Sequence, residues 1–108
     1  MAQNRRLQLD KELREVLQEG LGYANCYFQP PATLKMAYDC IRYNWASYDV
    51  RYADNRSHVV HTEYEIMFIS RDPDTPIPKM IQERFPLCRA GRNYTADGLY
   101  HFPFTLYY

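Results

Sequence analysis

The run from Ser57 to Asp72, Ser-His-Val-Val-His-Thr-Glu-Tyr-Glu-Ile-Met-Phe-Ile-Ser-Arg-Asp, constrains the fold more than any other stretch of the chain. It is the longest run rich in β-branched and aromatic residues that holds neither Gly nor Pro. In an extended chain Thr62, Tyr64, Ile66 and Phe68 share one face, and Glu63, Glu65, Met67 and Ile69 the other. The first part alternates polar with apolar, as a strand with one wet face does. From Ile66 to Ile69 both faces are apolar, which predicts cover on the far side by a helix or another subunit. Asp72-Pro73-Asp74 is a turn signal, because Pro cannot continue a central ladder. This run is the expected central strand.

A chain of 108 residues is one domain with room for one modest core. Hydrophobic residues make up 46% and charged ones 24%, the balance of a folded globular protein. Eleven tyrosines offer large contact area with a polar tip, which suits interfaces as well as sheet cores. Thirteen basic residues balance thirteen acidic ones, so the basic excess of a DNA-binding module is missing. Zero formal net charge favours self-association. The cysteine count is odd (Cys26, Cys40 and Cys88), and Met-Ala-Gln-Asn-Arg-Arg at the start is no secretion signal. Buried thiols in a reducing compartment are expected, and with no apolar run of membrane length, a soluble chain in the cytoplasm at synthesis.

Leu9, Leu13, Val16 and Leu17 recur at helical spacing among charged residues, predicting an amphipathic helix from about Arg5 to Glu19 stopped by Gly20 or Gly22. Cys26-Tyr27-Phe28 before Gln29-Pro30-Pro31 reads as a short edge strand that ends abruptly. Leu34 to Tyr38 reads as an extended lead-in. Asp39 to Tyr48 alternates as a strand and continues to a turn at Asp54-Asn55, so that with the central strand it forms a long antiparallel ribbon whose tip lies between Tyr52 and Ser57. Thr75 is placed to cap a short helix through about Phe85, with Pro76 and Pro78 in its first turn and Ile77, Met80, Ile81 and Phe85 or Arg84 inward. Pro86 ends it. Leu87 to Tyr94 is a predicted strand, Ala96-Asp97-Gly98 a turn, and Leu99 to Tyr108 a last strand whose Pro103 suggests an edge or a bulge. Tyr100, Phe102, Phe104, Leu106 and Tyr108 share one of its faces. The expected fold is α+β: a central, mainly antiparallel sheet with a projecting β-ribbon, flanked by an N-terminal helix and a short second helix.

Residues that carry chemistry elsewhere read more plainly here. His58 and His61 are three apart on a strand, hence on opposite faces unless a bulge intervenes. Cys88 with His101 has no nucleophile-and-base spacing to support it. Glu63 and Glu65 make a solvated or salt-bridged face rather than an acid/base pair. Asp72, Asp74 and Asp97 follow no calcium-loop pattern, and the glycines build no phosphate loop. Arg5-Arg6 and Arg89 with Arg92 read as solvated faces or subunit salt bridges. No catalytic arrangement, metal site or cofactor is expected. A ribbon this long on so small a domain, its edge strands and its tyrosines are devices for subunit contact.

The series Cys26-Tyr27-Phe28-Gln29-Pro30-Pro31, Tyr38-Asp39-Cys40-Ile41, Arg51-Tyr52-Ala53-Asp54-Asn55, Arg71-Asp72-Pro73-Asp74, Leu99-Tyr100-His101-Phe102 and Phe104-Thr105-Leu106-Tyr107-Tyr108 resembles the tail-terminator group among the head-to-tail proteins of long-tailed bacteriophages. The resemblance spans nearly the whole chain and rests on turn and strand signatures. It implies a structural virion protein, not an enzyme, without cofactor, that forms a hexameric ring. The ring caps the tail tube, ends its growth and joins the tail to the head connector. The implied partners are sister copies, the tail-tube protein and a head-closure or connector protein, with no membrane and no sequence-specific nucleic acid, although DNA passes through the ring. The implied location is the virion neck, after assembly in the host cytoplasm. Adjacent neck adaptors are of similar size and form the nearest alternative; a monomeric binding module and an enzyme are the more distant ones. Shape assigns the contacts to the ribbon: Tyr48, Arg51, Tyr52, Asp54, Asn55, Arg56 and His58.

Overall fold

A computed structural model describes the backbone of residues 5–53 and 56–108 and the side chains of 5–46 and 62–108. The elements run α1 (Arg5–Leu21), β1 (Cys26–Phe28), β2 (Cys40–Ala53), β3 (Arg56–Ser70), α2 (Ile77–Arg84), β4 (Cys88–Ala90), β5 (Tyr94–Ala96) and β6 (Leu99–Tyr107). They form one six-stranded sheet in the order β1-β2-β3-β6-β4, with β5 also paired to β6. β1 joins β2 in parallel and every other pair is antiparallel. The expected α+β sheet with two helices is present, and β3 is its central strand.

Both helices lie on one face. Leu9, Leu13, Val16 and Leu17 of α1 and Ile77 and Ile81 of α2 pack on Ile41, Tyr43, Ile66, Phe68, Phe104 and Leu106 in a single core. These are the stripes that the 3.6-residue and two-residue periods place together. Full burial of each such side chain stabilises by roughly 1.5–3 kcal/mol. α1 runs through Gly20 rather than stopping there, and Gly22 (φ 83°) supplies the left-handed residue. Gly20 has another task. A Cβ there would overlap Ile77 Cδ1 and sit 3.0 Å from Met80 Sδ, so the missing side chain lets α1 and α2 touch.

Four further expectations need correction. Thr75 does not cap α2. Pro76 (φ −78°, ψ −12°) holds the cap position with no side-chain bond, and Thr75 Oγ1 accepts only a long 3.4 Å contact from the Ile77 amide. Of the two covers expected for the far side of β3, a helix is absent among the described residues, and Ile69 is buried there beside its strand partner His101 and the Tyr94 ring stacked on that imidazole. The segment 87–94 is not one strand, since β4 and β5 are separated by Gly91, Arg92 and Asn93. β6 is no edge either, because β3 flanks one side and β4 and β5 the other. Pro103 is tolerated because its carbonyl, and hence its missing N–H, points at that break, where the Gly91 amide donates to it at 2.7 Å.

Beyond the core the sheet narrows to two strands. β1 stops pairing at Phe28–Tyr43, and β6 ends its ladder at Glu63–Tyr107 and the Thr62–Tyr108 amide exchange. Among the described residues β2 and β3 continue as a pair from Tyr48–Thr62 to Ala53–Arg56, which at ~3.3 Å per residue extends the sheet by about 20 Å. The register shifts between Trp45 and Ser47 and again between Asp49 and Val50, leaving Ala46 and Val60 unpaired. Such bulges bend and twist a ribbon. The molecule measures 51 × 31 × 29 Å.

Candidate interaction surface

The sheet becomes a ribbon at a small polar device. Gln29 takes a positive φ of 43°, turning the chain away from β2 ahead of Pro30-Pro31. Its amide donates to the Tyr43 carbonyl at 2.9 Å, and its side-chain Oε1 accepts the Trp45 amide at 3.0 Å. One side chain thus replaces the strand that would have come next. Beside it Phe28, Trp45, Tyr64 and Thr62 wall a groove of about 480 Å³, with Arg5 and Arg6 at its rim. Trp45 is 52% exposed.

The groove's floor is fixed by charge. Tyr43 packs on Phe28 at 5.0 Å between ring centroids and donates its hydroxyl to Asp10 at 2.6 Å. Arg14 Nε donates to the same carboxylate at 2.6 Å, and the Cys26 thiol approaches it at 3.9 Å. Burial pushes Asp10 upward, but the bonds from Tyr43 and Arg14 outweigh that and hold it below the ordinary carboxylate value. Burial, then the Asp10 bond, raises the Tyr43 hydroxyl, so it stays a donor. Burial pushes the Cys26 thiol up to about 12. Arg5 is exposed, as expected of a solvated face, and both arginines of the pair also lie against rings. The Arg6 guanidinium sits 4.5 Å from the Phe28 centroid and that of Arg5 sits 5.5 Å from Tyr108.

The two lateral margins of the core sheet are blunted. On β1 the Cys26 carbonyl accepts the Arg14 guanidinium at 2.9 Å, and on β4 the Cys88 carbonyl accepts the Gln82 side-chain amide. Each margin strand is only three residues long. Short, side-chain-capped edges do not invite another chain. The ribbon's margins are long by comparison, and its strands pair only with each other among the described residues.

Of the residues assigned to contacts from the sequence, Asp54 and Asn55 lie outside the described residues. Tyr48, Arg51, Tyr52, Arg56 and His58 are on the ribbon, opposite Thr62, His58, Ser57, Ala53 and Arg51 respectively, and their side chains lie outside the described ones. His58 and His61 flank the second register shift, so the simple opposite-face argument does not hold for them. Cys88 shares the core face of Leu106, whereas His101 is five residues away along β6 on the other face. Glu63 accepts the Tyr107 hydroxyl at 2.9 Å across the ladder, while Glu65 is exposed on the open face. Arg89 and Arg92 are exposed.

Sequence reading missed the groove. Gln29 was legible only as part of a strand stop, and no periodicity signals that its amide would cap Trp45. Among the described residues no group of His, Cys, Asp or Glu is placed to hold a metal ion, and no helix is long and apolar enough to cross a membrane. Comparison with protein-family models, with curated proteins and with solved structures finds no match for the chain.

Proposed function

We propose that this chain is a structural subunit of a bacteriophage neck: a tail-terminator protein that assembles, without catalysing a reaction, into a ring of six on the end of the tail tube. The observation that carries the reading is the β2–β3 ribbon, which runs past the core from Tyr48–Thr62 to Ala53–Arg56 while both core margins are blunted. A domain so built has its long unshared backbone edges on the ribbon and gains by sharing them. The sequence resemblance supplies the specific setting. Heterologous contacts that close after a fixed rotation leave no site for another tube subunit, so closure itself ends tail growth. The opposite surface of the ring then meets the head connector, and DNA passes through the centre.

Alanine substitution at Tyr48, Arg51, Tyr52 and Asp54 in the phage tests this. Overlong tails or unjoined heads are expected. Normal virions from that variant would remove the ribbon from the mechanism.

A further inference from the structure

The face of the sheet turned away from the helices carries two opposite charges that the chain leaves unjoined. Arg42 of β2 stands opposite Met67 of β3, and Asn44 opposite Glu65. Arg42 and Glu65 therefore lie on one diagonal of a four-residue square, and Asn44 and Met67 on the other. Diagonal neighbours on a sheet face are about 7–8 Å apart, within reach of long side chains. Yet neither Arg42 nor Glu65 enters an ion pair or a side-chain hydrogen bond among the described residues. Both line an open cavity of about 200 Å³ instead, with Asn44, Met67, Pro103 and Thr105. Glu65 is exposed, and Arg42, Asn44 and Met67 are half-buried.

A twofold axis lying in this face, along the Asn44–Met67 diagonal, exchanges Arg42 with Glu65. Two copies related by it join both charges at once, and Met67 and Asn44 each meet their own counterpart. Three observations favour a second copy over another partner. The square holds one cation and one anion, so it is complementary to itself and offers no net charge to a charged partner. The chain as a whole balances thirteen basic residues with thirteen acidic ones, so two copies approach without long-range repulsion. β3 is apolar on both faces from Ile66 to Ile69, and among the described residues no helix covers the far one, where Met67 stays half-buried.

We infer that two copies of this chain pair through this open sheet face, each Arg42 meeting the partner's Glu65 while Met67 packs on the partner's Met67. The contact is isologous, so every interaction occurs twice. The strands of the two sheets cross steeply, as in orthogonal sheet packing. The contact is small and partly polar, which makes it a transient pair of free chains. It is independent of the proposed ring, whose contacts are heterologous and lie on the ribbon.

Sedimentation tests this on the full chain carrying alanine at Tyr48, Arg51, Tyr52 and Asp54, which takes the proposed ring contact away. The mass of this parent is expected to rise from 12.9 kDa towards twice that value between about 10 μM and 1 mM. Arg42→Glu and Glu65→Arg each set two like-charged pairs face to face, so either variant alone should pair at least about tenfold more weakly. Mixed in equal amounts the two should pair again, because both contacts are then of opposite sign. A mixture of Lys79→Glu and Glu83→Lys makes the same charge changes on exposed positions of α2 and should pair no better than the parent. Should a charge reversal unfold the chain, Arg42→Gln and Glu65→Gln replace it, and each should weaken pairing as well. The inference is overturned if the parent stays at 12.9 kDa up to about 1 mM, if the single variants pair as the parent does, or if their mixture stays monomeric. It is equally overturned if the α2 mixture gains as much as the face mixture, since net charge then drives pairing. A parent that stays monomeric alone but binds tail tubes through Arg42 and Glu65 gives the face to another partner and overturns it too.

Discussion

Gln29 Oε1 lies 3.0 Å from the amide nitrogen of Trp45, sixteen residues along the chain, and accepts its hydrogen bond where β1 turns off β2. That bond closes the core sheet on one side and opens the ribbon on the other. Gln29→Ala would take this acceptor away from the Trp45 amide. Because Gln29 is exposed, the expected loss of global stability is small, about 0.5–1 kcal/mol. The sharper effect is local: the Trp45 amide should exchange its hydrogen faster than that of Tyr43, while the rates at Ile66 and Phe68 stay unchanged.

Gly20→Ala sets two effects against each other. Alanine in a helix interior gains up to about 1 kcal/mol over glycine. Its Cβ would overlap the Cδ1 of Ile77, which is fully buried, and overpacking of that kind costs about 1–3 kcal/mol. A net loss of about 1 kcal/mol in chemical denaturation is expected. Ile77→Val removes the overlapping carbon, so the double variant should be more stable than the sum of the two single changes predicts.

Stability should fall at both ends of the pH range for opposite reasons. The Asp10 carboxyl is held below its ordinary 3.8, so the ionised form stabilises the fold at neutral pH. That contribution is complete above the ordinary value and is lost as pH drops below about 4. At the alkaline end burial pushes Cys26 and Cys40 up to about 12 and Cys88 to about 11 from an ordinary 9.0. Tyr108 is raised to about 12, by burial first and then by its bond to Glu12. These protonated groups stabilise the fold fully below pH 9, and that stability is lost as pH climbs towards 12. A denaturation midpoint flat from about pH 5 to 8.5 and falling on both sides is the expected profile. For Asp10→Asn the acid-side fall should be shallower and the neutral midpoint lower.

The same burial governs thiol chemistry. A thiol is reactive as its thiolate, and Cys26 and Cys40 are buried as well as raised. Iodoacetamide at pH 8 should label Cys88 first, with Cys26 and Cys40 modified only once urea unfolds the chain. Mass spectrometry of tryptic fragments reads the order.

Much of this architecture was legible in the residues. The four apolar positions of α1, the Asp97-Gly98 turn with both residues at positive φ (53° and 73°), and β3 at the sheet's centre all follow from period and turn chemistry. What was not legible depends on contacts between distant segments. Pro103 reads as an edge residue until its empty position is seen to face the break at Gly91. Gly20 reads as a helix stop until Ile77 is seen against it. Thr75 reads as a cap, but Pro76 takes that position. The root groove shares this origin: Arg5, Phe28, Trp45 and Tyr64 come from four elements, and no local pattern joins them.

The central claim is that the ribbon serves assembly. Its most direct test is the mass and shape of the purified chain, alone and mixed with tail tubes, by sedimentation and electron microscopy. The account predicts a closed ring near six times the 12.9 kDa chain, free in solution or seated on tube ends, and its loss when the ribbon is shortened between Tyr48 and Thr62. A single 12.9 kDa species that leaves tube ends bare and ignores the shortening would contradict it.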